Sequence, residues 1–184
     1  VEIIMYYIET SPIIAYLFKS ELHHDKVKSF LEHIVFNKQE KLYTSTFTLV
    51  ELVNVINRKI RTDKLIEPLD IYIRKYCDDK SNYKALVSFI INFIKSKLNI
   101  EIVDSSDYYT FVDFNSMKIP FIFNQIIEFS SKFHIRIKDL LHIVYAYFLS
   151  RKYNIRYIIT IDVENFSKIE TNIKNFLDLT VIII

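Results

Sequence analysis

The chain has 184 residues, about half of them hydrophobic and a quarter charged, with a formal net charge of +2. Such a composition belongs to a folded globular chain, and the length suits one domain spanning 1–184 that buries roughly 70% of its unfolded surface. The single cysteine, Cys77, excludes a disulfide framework and a cysteine-based zinc site within one chain, and the lack of any glycine excludes the glycine-rich phosphate loops of kinases, GTPases and dinucleotide-binding dehydrogenases.

A pI near 8.5 is compatible with nucleic acid but is shared by ordinary globular chains. Every long apolar run is broken by charge before about 18 residues, so no membrane span is expected. With no secretory leader visible, a reducing cytoplasm is the expected compartment.

In chain order, Ile3 to Ile8 is an apolar run that reads as a buried strand. Glu9 ends it. Ser11 is placed to cap the following helix, and Pro12 suits a first helical position. A helix from near Asp25 to Phe36 carries Val27, Phe30, Leu31 and Ile34 on one face. His23 and His24, just before it, read as solvated linker residues. Leu42 to Ser45 is a second strand, and Ser45 or Thr46 caps a helix running to Ile60. That helix is apolar nearly all round and is expected to be buried. Glu51 is the exception, with Asn54 and Arg58 following at i+3 and i+7 in a narrow polar stripe. Glu51 is thus either neutralised by Arg58 or a metal-site acid one turn into a helix.

Residues 61–99 read as a helical insertion, Lys64 to Tyr76 and Tyr83 to Leu98, separated by Cys77 to Asn82. Any apolar surface it leaves exposed would suit a partner helix or a second copy of the chain. Ile100 to Asp104 is a third strand. Ser105 to Lys118 reads as a polar, aromatic linker, and Pro120 opens a helix to about Phe133. Asp139 opens a long helix, Leu140 to Tyr153, with His142 one turn on and Arg136 and Lys138 upstream. Arg156 to Ile161 is a fourth strand ending at Asp162, with Glu164 in the turn. A short helix to Leu177 and a strand from Thr180 to Ile184 close the chain. Strands alternating with helices point to an α/β fold with a parallel sheet covered on both faces.

In a parallel sheet all strands end at one edge, where ligands bind. Glu9 and Asp162 end strands there, and Glu51 and Asp139 lie in the first turns of helices that meet the same edge. Like charges gathered so closely are unfavourable unless a cation holds them. Hard oxygen donors favour Mg²⁺ or Mn²⁺, ions that serve phosphodiester hydrolysis.

The segments Tyr7-Ile8-Glu9-Thr10-Ser11, Ser45-Thr46-Phe47-Thr48-Leu49-Val50-Glu51-Leu52, Lys138-Asp139-Leu140-Leu141-His142 and Ile159-Thr160-Ile161-Asp162-Val163-Glu164-Asn165-Phe166 carry a further signal. In this order they resemble PIN-domain proteins of the VapC type, the toxin half of bacterial and archaeal toxin–antitoxin pairs. The resemblance implies a three-layer α/β/α fold with a parallel sheet of about five strands in the order 3-2-1-4-5. It also implies an Mg²⁺- or Mn²⁺-dependent endoribonuclease that leaves a 3′-hydroxyl and a 5′-phosphate and is silenced by a small VapB-like antitoxin. By position, Glu9, Glu51, Asp139 and Asp162 correspond to the family's acidic site, with Glu164 as an extra candidate ligand and Thr10, Ser11, Asn54 and Thr160 as supporting polar groups. Arg58, Arg136 and Lys138 are the candidates for contacts to RNA, and a homodimer is expected. One departure concerns Glu9, where the family has aspartate; the extra methylene carries the carboxylate ~1.5 Å further. The chain is also longer than the family's usual length, and the excess is assigned to residues 61–99 and 105–118. The alternative from another class is a PIN-fold RNA- or protein-binding module with little or no turnover. A DNA-directed or ribosomal-RNA-processing nuclease is a third reading, though Cys77 alone cannot supply the zinc ribbon some processing enzymes carry.

Overall fold

A computed structural model of the protein describes residues 4–76 and 83–184. Its strands are β1 (Met5–Ile8), β2 (Lys41–Ser45), β3 (Ile100–Val103), β4 (Phe111–Phe114), β5 (Met117–Pro120), β6 (Tyr157–Thr160) and β7 (Thr180–Ile183). Five of them form a parallel sheet in the order β3-β2-β1-β6-β7, and β4 and β5 pair separately as an antiparallel hairpin. Counting only the strands of the main sheet, the order is 3-2-1-4-5, as the resemblance implies.

Helices cover both faces. From β1 to β3 the chain runs through α1 (Thr10–Leu17), α2 (His24–Glu32), α3 (Thr46–Lys59), α4 (Leu69–Tyr76) and α5 (Tyr83–Lys97). From β5 to β7 it runs through α6 (Phe121–Ser130), α7 (Ile137–Tyr153), α8 (Val163–Phe166) and α9 (Glu170–Leu177). The strands alternate between the two layers with the period of two that a pleated backbone imposes. Tyr6, Ile8, Leu42 and Ile159 join one core with α1, α2, α4 and α5. Tyr7, Tyr43, Ile158 and Val181 join the other with α6, α7 and α9. This is why the strands read as continuous apolar runs: a parallel sheet buried on both faces has no polar side. The layers divide at β1, whose neighbours are β2 on one side and β6 on the other, and that division makes the crevice between the ends of β1 and β6 the switch point of the sheet.

Several local expectations are revised. α1 begins at Thr10, so Glu9 rather than Ser11 is its N-cap and Pro12 is its third residue. Proline is tolerated there because none of the first four N–H groups has an intrahelical acceptor. α3 buries one face through Thr48, Leu52 and Ile56 while Val50 is exposed, so it lies on the layer rather than inside it. His24 is buried and its Nδ1 lies 2.8 Å from the carbonyl oxygen of Ala15, so it is a structural histidine and not a solvated one. In α5 and the residue after it, the apolar stripe Leu86, Phe89, Ile90, Phe93, Ile94 and Leu98 at helical spacing is buried except for Phe89 and Phe93, which are half-buried, while Lys84, Asn92, Lys95 and Lys97 are exposed. The expected turn from Cys77 to Asn82 lies outside the described residues.

The expected linker after β3 contains the β4–β5 hairpin, whose two turn residues, Asn115 and Ser116, both have positive φ. Hairpin turns of this kind normally mark themselves with glycine, which this chain lacks. Asn99, Asn115, Asn154 and Asp178 are four of the six residues with positive φ among the described residues, and Asn154 and Asp178 end α7 and α9. Asparagine and aspartate thus stand in for glycine at left-handed positions, because their short polar side chains tolerate that geometry better than other residues.

A cavity test separates core from surface. Leu31 on α2 is fully buried and Ile127 on α6 is 43% exposed. Leu31→Ala is expected to lower unfolding free energy by about 2–5 kcal/mol, and Ile127→Ala to change it by about 0.5 kcal/mol or less, as read from urea titration.

Candidate active site

The site is built where β1 and β6 end. Glu9 leaves β1 in extended conformation and caps α1, its Oε2 accepting the Ser11 backbone N–H at 3.0 Å. Its Oε1 accepts the Ser11 hydroxyl and, at 2.9 Å, the hydroxyl of Thr160, the last residue of β6. A carboxylate at this helix terminus also faces the positive end of the helix dipole. The Thr160 hydroxyl in turn accepts the backbone N–H of Asp162 at 2.9 Å, tying the two strand ends together. Asp162 caps α8: its Oδ1 accepts the Asn165 N–H at 3.0 Å and its Oδ2 accepts the Asn165 side-chain amide at 2.7 Å.

Two helices bring the other acids. α3 starts at Thr46, capped by Ser45, and presents Glu51 in its second turn. Glu51 Oε2 accepts the Thr10 hydroxyl at 2.5 Å and lies 2.8 Å from His142 Nε2. α7 contributes Asp139 and, three residues on and therefore on the same face, His142. His142 Nε2 is 3.9 Å from Glu9 Oε2, beyond hydrogen-bond reach, so its bond goes to Glu51 and Glu9 relies on Ser11 and Thr160. Asp139 Oδ2 accepts from Arg136 Nε at 2.8 Å, and the same guanidinium reaches Asp162 Oδ2. Glu9, Asp139 and His142 are buried; Glu51 and Asp162 each keep 22% of the side chain accessible and form the open side of the cleft.

The electrostatics follow from these partners. Burial pushes the Glu51 carboxyl upward, but hydrogen bonds from His142 and Thr10, with the positive charge of Lys138 nearby, outweigh it and hold Glu51 below the ordinary glutamate range. Asp162 behaves alike: burial raises it, while the two Asn165 hydrogen bonds and the charges of Arg136 and Lys138 bring it below the usual value. Arg136 is held still more firmly protonated, chiefly by its hydrogen bond to Asp139. Burial drives the Tyr7 phenol well above its ordinary value, so it remains a hydroxyl.

The four acids named from sequence thus meet at one edge, with Thr10, Ser11 and Thr160 bonded to them. Asn54 and Arg58 are exposed on α3, and the partners of Glu51 are Thr10 and His142, so neutralisation by Arg58 gives way to a different pairing. Lys138 is exposed and its charge reaches both Glu51 and Asp162. Glu164 is exposed on α8 and acts on Arg136 through its charge.

Two residues escaped the sequence reading. Tyr7, fully buried on β1, places its hydroxyl 2.9 Å from His142 Nδ1 and 3.1 Å from Ser45 Oγ. Its position two residues before Glu9 on a strand was the available signal, since i and i+2 share a face. Asp104, just past β3, accepts from the hydroxyls of Thr46 and, at 2.7 Å, Tyr109. It lies two strands from β1, off the switch point; its Oδ2 takes both hydroxyls and its Oδ1 accepts the Ser105 backbone N–H at 2.8 Å.

The donor set suits a hard cation: four carboxylates and two threonine hydroxyls, with no thiol. As they stand, no three His, Cys, Asp or Glu side chains among the described residues are arranged to hold one. The positive charge between Asp139 and Asp162 is the Arg136 guanidinium. Each ionised carboxylate still has lone pairs beyond those engaged, so the chemistry fits a divalent ion although the present hydrogen bonds serve the acids without one.

A parallel α/β/α sandwich with acids gathered at its switch point defines the class. The chain belongs to the PIN domain family, whose model matches residues 6–108, a span that includes Glu9 and Glu51. Its fold is similar to that of a chain in VapBC2 from Rickettsia felis, solved bound to a DNA fragment from their promoter, with 16% identity, 98% of this chain and 99% of that one covered, and a TM-score of 0.53. VapC20 of Mycobacterium tuberculosis, a Sarcin-Ricin loop cleaving toxin, aligns over 89% of this chain and 94% of its own at 14% identity and a TM-score of 0.48. No curated protein matches the chain. No helix among the described residues is long and apolar enough to cross a membrane.

Removing the Arg136 guanidinium leaves the buried Asp139 carboxylate without that donor. Arg136→Ala in EDTA is expected to cost about 1–2 kcal/mol of stability, and Lys138→Ala about 0.5 kcal/mol or less, in urea unfolding.

Proposed function

We propose that the protein is a Mg²⁺- or Mn²⁺-dependent endoribonuclease of the VapC type, the toxin of a toxin–antitoxin pair. The observation that carries the reading is the convergence of Glu9, Glu51, Asp139 and Asp162 on the switch point of a PIN-family sheet. These four carboxylates would hold the ion, with Glu164 at the rim. When bound, such an ion activates water and offsets the charge that develops on a phosphodiester undergoing in-line attack.

The chain's own residues supply the remaining requirements. Thr10, Ser11 and Thr160 orient the two glutamates by donating to them. Lys138, exposed and with its charge acting on Glu51 and Asp162, is placed to meet an RNA phosphate at the cleft. Arg136 is engaged by Asp139 and Asp162, and its contribution to RNA binding would require giving up one of them. Arg58 lies three turns along α3 on the exposed side and would contact RNA further from the cut. A VapB-like antitoxin would restrain the enzyme in a cytoplasmic setting, and two copies of the chain would form the working unit.

Purified protein is expected to cleave single-stranded RNA with Mn²⁺, to lose activity in EDTA, and to lose at least about a hundredfold on Asp139→Asn, a change that keeps an acceptor for Arg136 but removes the charge. Equal cleavage by wild type and Asp139→Asn, followed on a gel of end-labelled RNA, would assign the activity to a contaminant. Saturable RNA binding without Mn²⁺-dependent cleavage would favour a binding module.

A further inference from the structure

His142 is almost wholly buried, and both ring nitrogens are engaged: Nε2 at 2.8 Å from Glu51 Oε2 and Nδ1 at 2.9 Å from the Tyr7 hydroxyl. An ionised carboxylate accepts only, so Nε2 must carry a proton to bond Glu51. A neutral ring then has a bare Nδ1, which accepts. Tyr7 remains a hydroxyl and can donate to it, and the phenol oxygen in turn takes a hydrogen from Ser45 Oγ at 3.1 Å. Among the described residues every buried side-chain nitrogen or oxygen has a partner, so this chain of bonds is closed at both ends. The aromatic ring of Phe47, with its centroid 5.0 Å from that of His142, packs the imidazole from α3.

We propose that Tyr7 and His142 form a strut that fixes the direction of the Glu51 carboxylate: Tyr7 donates to Nδ1, the imidazole proton is held on Nε2, and Nε2 donates to Glu51. The role is positioning. Neither residue touches the reacting phosphodiester. The strut runs from β1 to α7 to α3 and so transmits the fixed geometry of the strand to a glutamate on a helix, whose side chain has one more rotatable bond than an aspartate. Groups that orient a metal-binding side chain commonly govern affinity by about 10–100-fold. This second part of the inference rests on the metal-dependent reading above; the tautomer and its hydrogen bonds do not.

The test has two arms. Imidazole ¹⁵N–¹H correlation spectra of the metal-free protein at pH 8 should show His142 with its proton on Nε2, slow to exchange with water. Tyr7→Phe should release that preference or speed the exchange. A proton on Nδ1, two protonated nitrogens, or a spectrum indifferent to Tyr7→Phe overturns the strut. In the second arm, Mn²⁺ binding is followed by electron paramagnetic resonance on variants shown to be folded by circular dichroism. Tyr7→Phe and His142→Leu should weaken binding about 10–100-fold, and His142→Gln, whose amide can replace the Nε2 donor, should recover most of it. Folded variants that bind Mn²⁺ as wild type does mean the residues serve packing alone. If the wild type binds no Mn²⁺, the metal-dependent reading fails and the spectra alone decide the strut.

Discussion

The rest of the site depends on one constraint: four carboxylates brought to a single sheet edge repel one another unless each is supplied with donors or positive charge. The sheet makes the gathering unavoidable. Parallel strands all end on the same side, and the two that flank the switch point, β1 and β6, deliver Glu9 and Asp162. α7 supplies the remedy along with a further acid. Its N-cap, Arg136, lies between Asp139 and Asp162, while His142, one turn in, lies between Glu51 and Glu9. Asp139 and Asp162 thus share a guanidinium, Glu51 takes the imidazole N–H, and Glu9 takes the Ser11 and Thr160 donors, with the Thr160 hydroxyl linking Glu9 to the Asp162 backbone.

Glu9 shows how one substitution is absorbed by the fold. The resemblance has aspartate at this place. Here the longer arm reaches around the helix start, takes the Ser11 N–H and hydroxyl, and still meets Thr160 on the neighbouring strand. The residue thus serves as helix cap while its carboxylate stays at the sheet edge beside Thr160. Capping with a glutamate uses the same physics as capping with aspartate, an acceptor supplied to an orphaned donor at the positive end of a helix. On the proposed reading, an incoming cation would share the carboxylate with those donors.

Much of the architecture was legible because it rests on periodicity. The runs from Ile3 to Ile8 and from Arg156 to Ile161 read as strands and contain β1 and β6, and the order of the main sheet followed from the resemblance. That Glu9 and Asp162 follow the ends of two neighbouring strands was legible, since a strand end is visible in sequence. What was hidden were contacts between segments distant in the chain. That Glu51 pairs with His142 and not Arg58 depends on the placement of α7 against α3, which no spacing within α3 reveals. The β4–β5 hairpin was hidden for a different reason: a chain without glycine turns at Asn115-Ser116, and the usual mark of a tight turn is missing. Tyr7 was hidden by its own chemistry, because an aromatic in a buried run reads as packing until its hydroxyl is seen to meet His142.

The central claim is that Glu9, Glu51, Asp139 and Asp162 form a single cation site. The most direct measurement is an anomalous-scattering map from crystals soaked in Mn²⁺, collected at the manganese edge. The account predicts a peak within about 2.0–2.6 Å of carboxylate oxygens from at least three of the four, the range of oxygen-ligand distances for hard divalent ions. A peak elsewhere on the molecule, or none at this edge in crystals that bind Mn²⁺ at other points, contradicts it.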